Sequence, residues 1–83
     1  MHASNIRVRV KPYTGKDPKR LRTYESNLAA AERIHDYLVR AAASGQRLFL
    51  YYEIASDLGL DSKVVERVLR DTGGGNSGIT ISD

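Results

Sequence analysis

The stretch that decides the fold is residues 51–69, YYEIASDLGLDSKVVERVL. Its first half places apolar side chains three and four residues apart, the spacing of one helix face: Tyr51, Ile54, Ala55 and Leu58. Gly59 follows at once, and glycine often ends a helix because it tolerates positive φ angles. The pattern therefore predicts a helix that begins near Tyr51 and ends at Gly59.

A second helix is predicted directly after this turn. Asp61 or Ser62 can cap it, because a side-chain oxygen accepts from the backbone N–H groups that a first turn leaves unpaired. The small side chain of Ala55 lets the two helices cross closely, and Gly59 allows the tight turn between them. The inward stripe of the second helix is apolar: Val64, Val65, Val68 and Leu69.

A longer helix is predicted earlier in the chain. It could begin at Pro18, with Asp17 as its cap, or near Thr23, and Gly45 marks its end after Ser44. Its apolar stripe has spacings of three and four: Leu21, Tyr24, Leu28, Ala31, Ile34, Leu38 and Ala41.

Three short strands complete the prediction. Ile6, Val8 and Val10 alternate with Arg7, Arg9 and Lys11, which indicates a strand with one apolar and one basic face. Leu48–Leu50 is expected to pair with Ile79–Ile81, and the glycine run at residues 73–78 supplies a turn before the last strand. The side chains expected to be buried are Leu28, Leu38, Ile54, Leu58, Val65 and Leu69.

Residues 51–69 resemble the helix-turn-helix superfamily, with Ala55, Gly59 and the apolar positions where that superfamily has them. The order of elements around them is similar to its winged-helix branch. The resemblance implies a small α+β winged-helix domain with three helices and a short two- or three-stranded antiparallel sheet. We expect residues 1–22 to form a basic N-terminal arm that could include an edge strand, and residues 23–83 to form the domain.

The charge is divided unevenly along the 83 residues, although the net value is only +3. Residues 1–22 hold seven basic side chains and one acidic one, whereas residues 23–83 hold six basic and nine acidic ones. A basic arm is typical of chains that meet a polyanion. The alternative is that the arm's cations keep an exposed strand edge soluble.

Other features exclude several functions. Gly73, Gly75 and Gly78 match G-x-G-x-x-G, but they follow a helix, whereas a dinucleotide site needs this motif between a strand and a helix. The two histidines, His2 and His35, do not have the spacing of metal ligands. No catalytic set is evident, so we expect no enzyme, cofactor or metal. The absence of cysteine and of long apolar runs favours a cytoplasmic protein.

The resemblance implies binding to duplex DNA through the outer face of the second helix. There Ser62, Lys63, Arg67 and Arg70 would approach the major groove, although Glu66 could neutralise Arg70. Tyr52 would reach a phosphate or remain a half-buried surface residue. The arm cations would hold phosphates or contact an adjacent groove: Arg7, Arg9, Lys11, Lys19, Arg20 and Arg22.

The expected function is therefore a non-enzymatic DNA-binding protein, a small transcriptional regulator or accessory factor that could dimerise through the long helix or the sheet edge. The alternative is a winged-helix protein-interaction module that does not bind DNA. The acidic body and a glycine loop without Lys or Arg, where the family usually has basic residues, favour that alternative. The two hypotheses differ in whether the arm lies beside the second helix or opposite it.

Overall fold

The computed structural model describes residues 8–81 as a small α+β domain with three helices and one two-stranded antiparallel sheet. The order along the chain is α1 (Pro18–Ala43), β1 (Leu48–Leu50), α2 (Tyr51–Leu58), α3 (Ser62–Asp71) and β2 (Gly78–Thr80). The expected α+β class, with three helices and a short antiparallel sheet, and the expected order of elements are thus confirmed for residues 18–81.

Helix α1 begins at the earlier of its two expected starts. The Asp17 side chain accepts a hydrogen bond from the Lys19 N–H at 3.0 Å, and Pro18 occupies the first helical position. The helix ends at Ala43 with Ser44 as its cap, and Gly45 follows with a φ of 101°. The boundary expected between residues 22 and 23 consequently falls inside α1.

The connection between α2 and α3 follows the sequence prediction. Gly59 adopts the left-handed conformation, with a φ of 66°, and the Leu60 N–H donates to the Ala55 carbonyl at 2.9 Å. Asp61, rather than Ser62, caps α3 by accepting from the Lys63 N–H at 2.8 Å. Residues 51–69 therefore form two separate helices, and Ala55 is buried.

The sheet pairs β1 with β2 so that Phe49 lies opposite Ile79. The second strand begins one residue earlier than expected, at Gly78, and ends at Thr80, whereas Ile81 still donates its N–H to the Arg47 carbonyl at 2.8 Å. The Tyr51 hydroxyl donates to the Gly75 carbonyl at 2.7 Å, so the glycine loop is fastened to the start of α2.

The prediction of an N-terminal strand is wrong for the residues of that segment that the structure describes. Residues 8–17 contain no strand, and Ile6 and Arg7 lie outside the described residues. The alternation still has a structural meaning, because Val8 and Val10 pack against the core while Arg9 is exposed. The Arg9 N–H donates to the Thr72 hydroxyl at 3.1 Å, so within this segment a side chain takes the place of a strand partner.

The core lies where α1, α2, α3 and the sheet meet. Its expected members Leu38, Ile54, Val65 and Leu69 are fully buried, and Leu58 is half-buried. The prediction for Leu28 is wrong: its side chain is 40% exposed. The reason is the length of α1. Its first twelve residues contain no buried side chain, since this end of the helix extends past the elements that cover Ile34 and Leu38.

Candidate nucleic-acid interface

The outer face of α3 presents the cations that the sequence indicated. Its inner face is buried through Val65, Val68 and Leu69, so Ser62, Lys63 and Arg67 are exposed. Arg70 is also exposed, but its Nη2 atom lies 2.7 Å from Glu66 Oε1. The pairing expected from their i, i+4 spacing is confirmed, and Arg70 therefore offers less positive charge than Lys63 and Arg67.

The part of the N-terminal segment that the structure describes, residues 8–17, lies beside α3, not opposite it. Its attachment point is the Arg9 N–H bond to Thr72, the residue that caps the end of α3. The Thr72 hydroxyl in turn donates to the Val68 carbonyl at 3.0 Å, so the segment is joined to the last turn of that helix. On its other side the segment meets α1, where Val8 and Val10 line a shallow groove with Leu28.

An open cleft of about 440 Å³ is formed where this segment, α1 and α3 come together. Each of the three contributes one cation: Lys11 from the segment, Arg20 from α1 and Arg67 from α3. We call this site the basic cleft. Its remaining lining residues are Pro12, Tyr13, Thr23, Tyr24, Asn27 and Asp71.

Most of the positive charge in the basic cleft is not neutralised. Among residues 8–81, the Lys11 and Arg67 side chains form no ion pair. Arg20 Nε lies 3.9 Å from Asp17 Oδ2, but the two side chains are 76% and 50% exposed, so water weakens their attraction. Against these three cations the lining has one carboxylate, Asp71, and the site is therefore suited to an anion.

The other expected site residues lie outside this cleft. Lys19 and Arg22 are exposed on the first turns of α1, Lys63 lies one turn before Arg67 on α3, and Arg7 lies outside the described residues. The sequence predicted the cations as one group of DNA-binding residues. It did not identify Tyr13 as a site residue, and it assigned Tyr24 to the apolar stripe of α1.

Tyr52 is separated from the cations. Its side chain is 64% exposed and lines a second depression with Tyr37 and two carboxylates of α2, Glu53 and Asp57. The Tyr37 hydroxyl donates to Asp57 Oδ2 at 2.6 Å, and this bond, with burial and the nearby negative charge, raises the pKa of Tyr37 to about 12. The acidic surroundings make Tyr52 unsuitable for a phosphate.

Neither a candidate metal-binding group nor a candidate membrane-spanning helix is found among residues 8–81. That part of the chain has no group of three or more His, Cys, Asp or Glu side chains placed to hold a metal ion. Nor does any helix within it have the length and apolar character needed to cross a membrane.

Comparison of the chain with models of protein families, with curated proteins and with solved structures finds no match to any of them. The function must therefore be inferred from the residues and their geometry.

Proposed function

We propose that this chain is a non-enzymatic, duplex DNA-binding protein of the winged-helix type, acting as a small transcriptional regulator or accessory factor. The observation that supports it best is the basic cleft. Lys11 and Arg20 come from the basic N-terminal region, and they line the same site as Arg67 of α3. Cations from two regions of the sequence thus face one side of the molecule, as a polyanion would require.

In this proposal α3 enters the major groove. The helix has ten residues and is about 15 Å long, and a major groove about 12 Å wide admits a helix. Lys63 and Arg67 lie four residues apart on its exposed face and would contact base edges or phosphates. Lys11 and Arg20 would hold phosphates next to the groove. The glycine loop at residues 73–78 has no cation, so it would contribute little to phosphate binding.

Dimerisation would lengthen the DNA site, because two copies can bind two half-sites. The exposed N-terminal half of α1, which carries Leu21 and Leu28 with 41% and 40% exposure, could supply the contact between copies. Under this proposal the protein acts through binding alone and needs no cofactor.

The decisive variant is Arg67→Ala, tested by fluorescence anisotropy against duplexes selected from a random pool. We expect a loss of about 1–3 kcal/mol on the preferred site, with relaxed preference at one base pair if Arg67 contacts a guanine. Arg40→Ala is the matched control. Arg40 is also exposed on a helix, but it lies twenty residues from Arg20, about 30 Å along α1. Equal losses in both variants, or none in Arg67→Ala, would contradict the proposal.

The second candidate is a protein-interaction module, and the depression around Tyr52 favours it. An exposed tyrosine beside Glu53 and Asp57 suits a basic protein surface. In that case Arg67→Ala should leave DNA binding unaffected, and Tyr52→Ala should instead weaken self-association or the binding of a protein partner. Both readouts are measured on both folded variants.

A further inference from the structure

Two tyrosines line the basic cleft together with its three cations. Tyr13 lies in the loop before α1, and its hydroxyl accepts a hydrogen bond from the Asp17 N–H at 2.9 Å, which fixes the position of the ring. Tyr24 lies on α1, one turn after Arg20. Both are half-buried, but neither belongs to the hydrophobic core or packs against it. Their rings are therefore available to the cleft.

Cations and aromatic rings together indicate a more specific ligand than an anion alone. The bases of a duplex are stacked on one another, so they offer their edges but not their faces. The bases of a single strand are free to stack on an aromatic side chain while nearby cations hold the backbone. Three cations and two tyrosines around one site match this second kind of ligand.

The size and polarity of the cleft agree with this ligand. A volume of about 440 Å³ falls within the range of sites that hold small molecules. Thr23 and Asn27 lie on the α1 wall. The Thr23 hydroxyl donates to the Lys19 carbonyl at 3.1 Å and can still accept a hydrogen bond, and the Asn27 amide can both donate to and accept from a base or sugar. Asp71 repels a phosphate, but its single charge is opposed by three cations.

We propose that the basic cleft binds an unpaired nucleotide of a single-stranded nucleic acid. Its phosphate would lie among Lys11, Arg20 and Arg67, and its base would stack on Tyr24. The site shares Lys11, Arg20 and Arg67 with the proposed duplex-binding surface, but it does not depend on duplex binding. Lys63 does not line the cleft, so the two modes can be separated by substitution.

The test compares three variants by anisotropy with two probes, a labelled oligo(dT) of about 12 nucleotides and a blunt hairpin duplex. Tyr24→Leu removes the ring, and we expect it to weaken oligo(dT) binding by about 5- to 150-fold while duplex binding changes less than about twofold. Tyr24→Phe keeps the ring and should bind oligo(dT) nearly as the parent does. Lys63→Gln should weaken the duplex and leave oligo(dT) unchanged. Circular dichroism checks that each variant is folded.

Each result of these binding measurements supports or overturns the proposed single-strand site. No binding of oligo(dT) by the parent protein, or no loss in Tyr24→Leu, overturns the inference. Equal losses for both probes in Tyr24→Leu also overturn it, because stacking on a single strand would not affect a duplex. Thymidine monophosphate that binds as tightly as oligo(dT) would assign the cleft to a free nucleotide instead of a strand. Oligo(dT) binding without duplex binding would keep this inference and contradict the proposed function.

Discussion

Replacing the three cations of the basic cleft by glutamine should flatten the salt dependence of DNA binding. Each phosphate engaged by a cation contributes about −0.9 to the slope of log K against log salt. If Lys11, Arg20 and Arg67 each engage one phosphate, the triple variant should lose about 2.7 from the magnitude of that slope. Between about 50 and 200 mM salt, the parent protein should therefore weaken about 40-fold more than the triple variant does.

The fold should tolerate this triple change. All three side chains are exposed, and substitutions at such positions usually change the free energy of unfolding by within about 0.5 kcal/mol. The assay is fluorescence anisotropy with one duplex at several salt concentrations, after urea unfolding has confirmed equal stability. Arg40→Gln is the single-charge control, because it lies beyond the roughly 10 Å screening length from the cleft. Two results would refute the reasoning. The slope of log K against log salt could be unchanged in the triple variant, or Arg40→Gln could flatten that slope as much as Arg67→Gln does.

Three further changes test other parts of the structure. Ala55→Leu should overpack the crossing of α2 and α3, where Ala55 is 5% exposed, and urea unfolding should show a loss of about 1–3 kcal/mol. Glu66→Gln should strengthen non-specific duplex binding, measured by anisotropy, because it frees Arg70 from its 2.7 Å partner and removes a negative charge near the phosphates; weaker binding would place α3 away from DNA. Tyr37→Phe should remove the tyrosine that titrates near pH 12 in an absorbance titration. The hydrogen bond to Asp57 raises the pKa of Tyr37 in the folded state. The stability that the protonated Tyr37 contributes to the fold is therefore fully present below the ordinary tyrosine pKa of 10.0, and it is lost as the pH rises toward about 12. The stability difference between the parent and Tyr37→Phe should shrink over that interval, and a constant difference would contradict the role of the Asp57 bond.

The parts of the fold that were predictable depend on local chemistry. Gly59 ends α2 because its own backbone adopts a positive φ, and Asp61 caps α3 with its own side chain. Asp17 and Pro18 start α1 in the same way. These signals act within a few residues, so the sequence alone predicted the turn at Gly59 and narrowed the two helix starts to two candidates each, Asp61 or Ser62 as the cap of α3 and Pro18 or Thr23 as the start of α1.

The errors arose where the outcome depends on distant residues. The alternation of Val8, Arg9 and Val10 predicted a strand, but a strand needs a partner, and here the Thr72 hydroxyl satisfies the Arg9 N–H instead. Periodicity placed Leu28 on an apolar face, but it could not show how far the neighbouring helices extend along α1.

The basic cleft was unpredictable for the same reason. Arg20 and Arg67 are forty-seven positions apart in the chain, and only the packing of α1 beside α3 brings them to one site. Tyr24 fits the apolar stripe of α1, and the spacing alone gives it no role in a binding site. In the structure Tyr24 lines the cleft, which composition and spacing do not encode.

The most direct test of the central claim is a titration of the ¹⁵N-labelled protein with a short duplex, followed by NMR chemical shifts. If α3 and the basic cleft face DNA, the largest shifts should fall on Lys11, Arg20, Lys63 and Arg67, and they should diminish as salt is added. The α2 face around Tyr52 and Glu53 should not shift. Shifts confined to that face, or no shifts at low salt, would contradict the account.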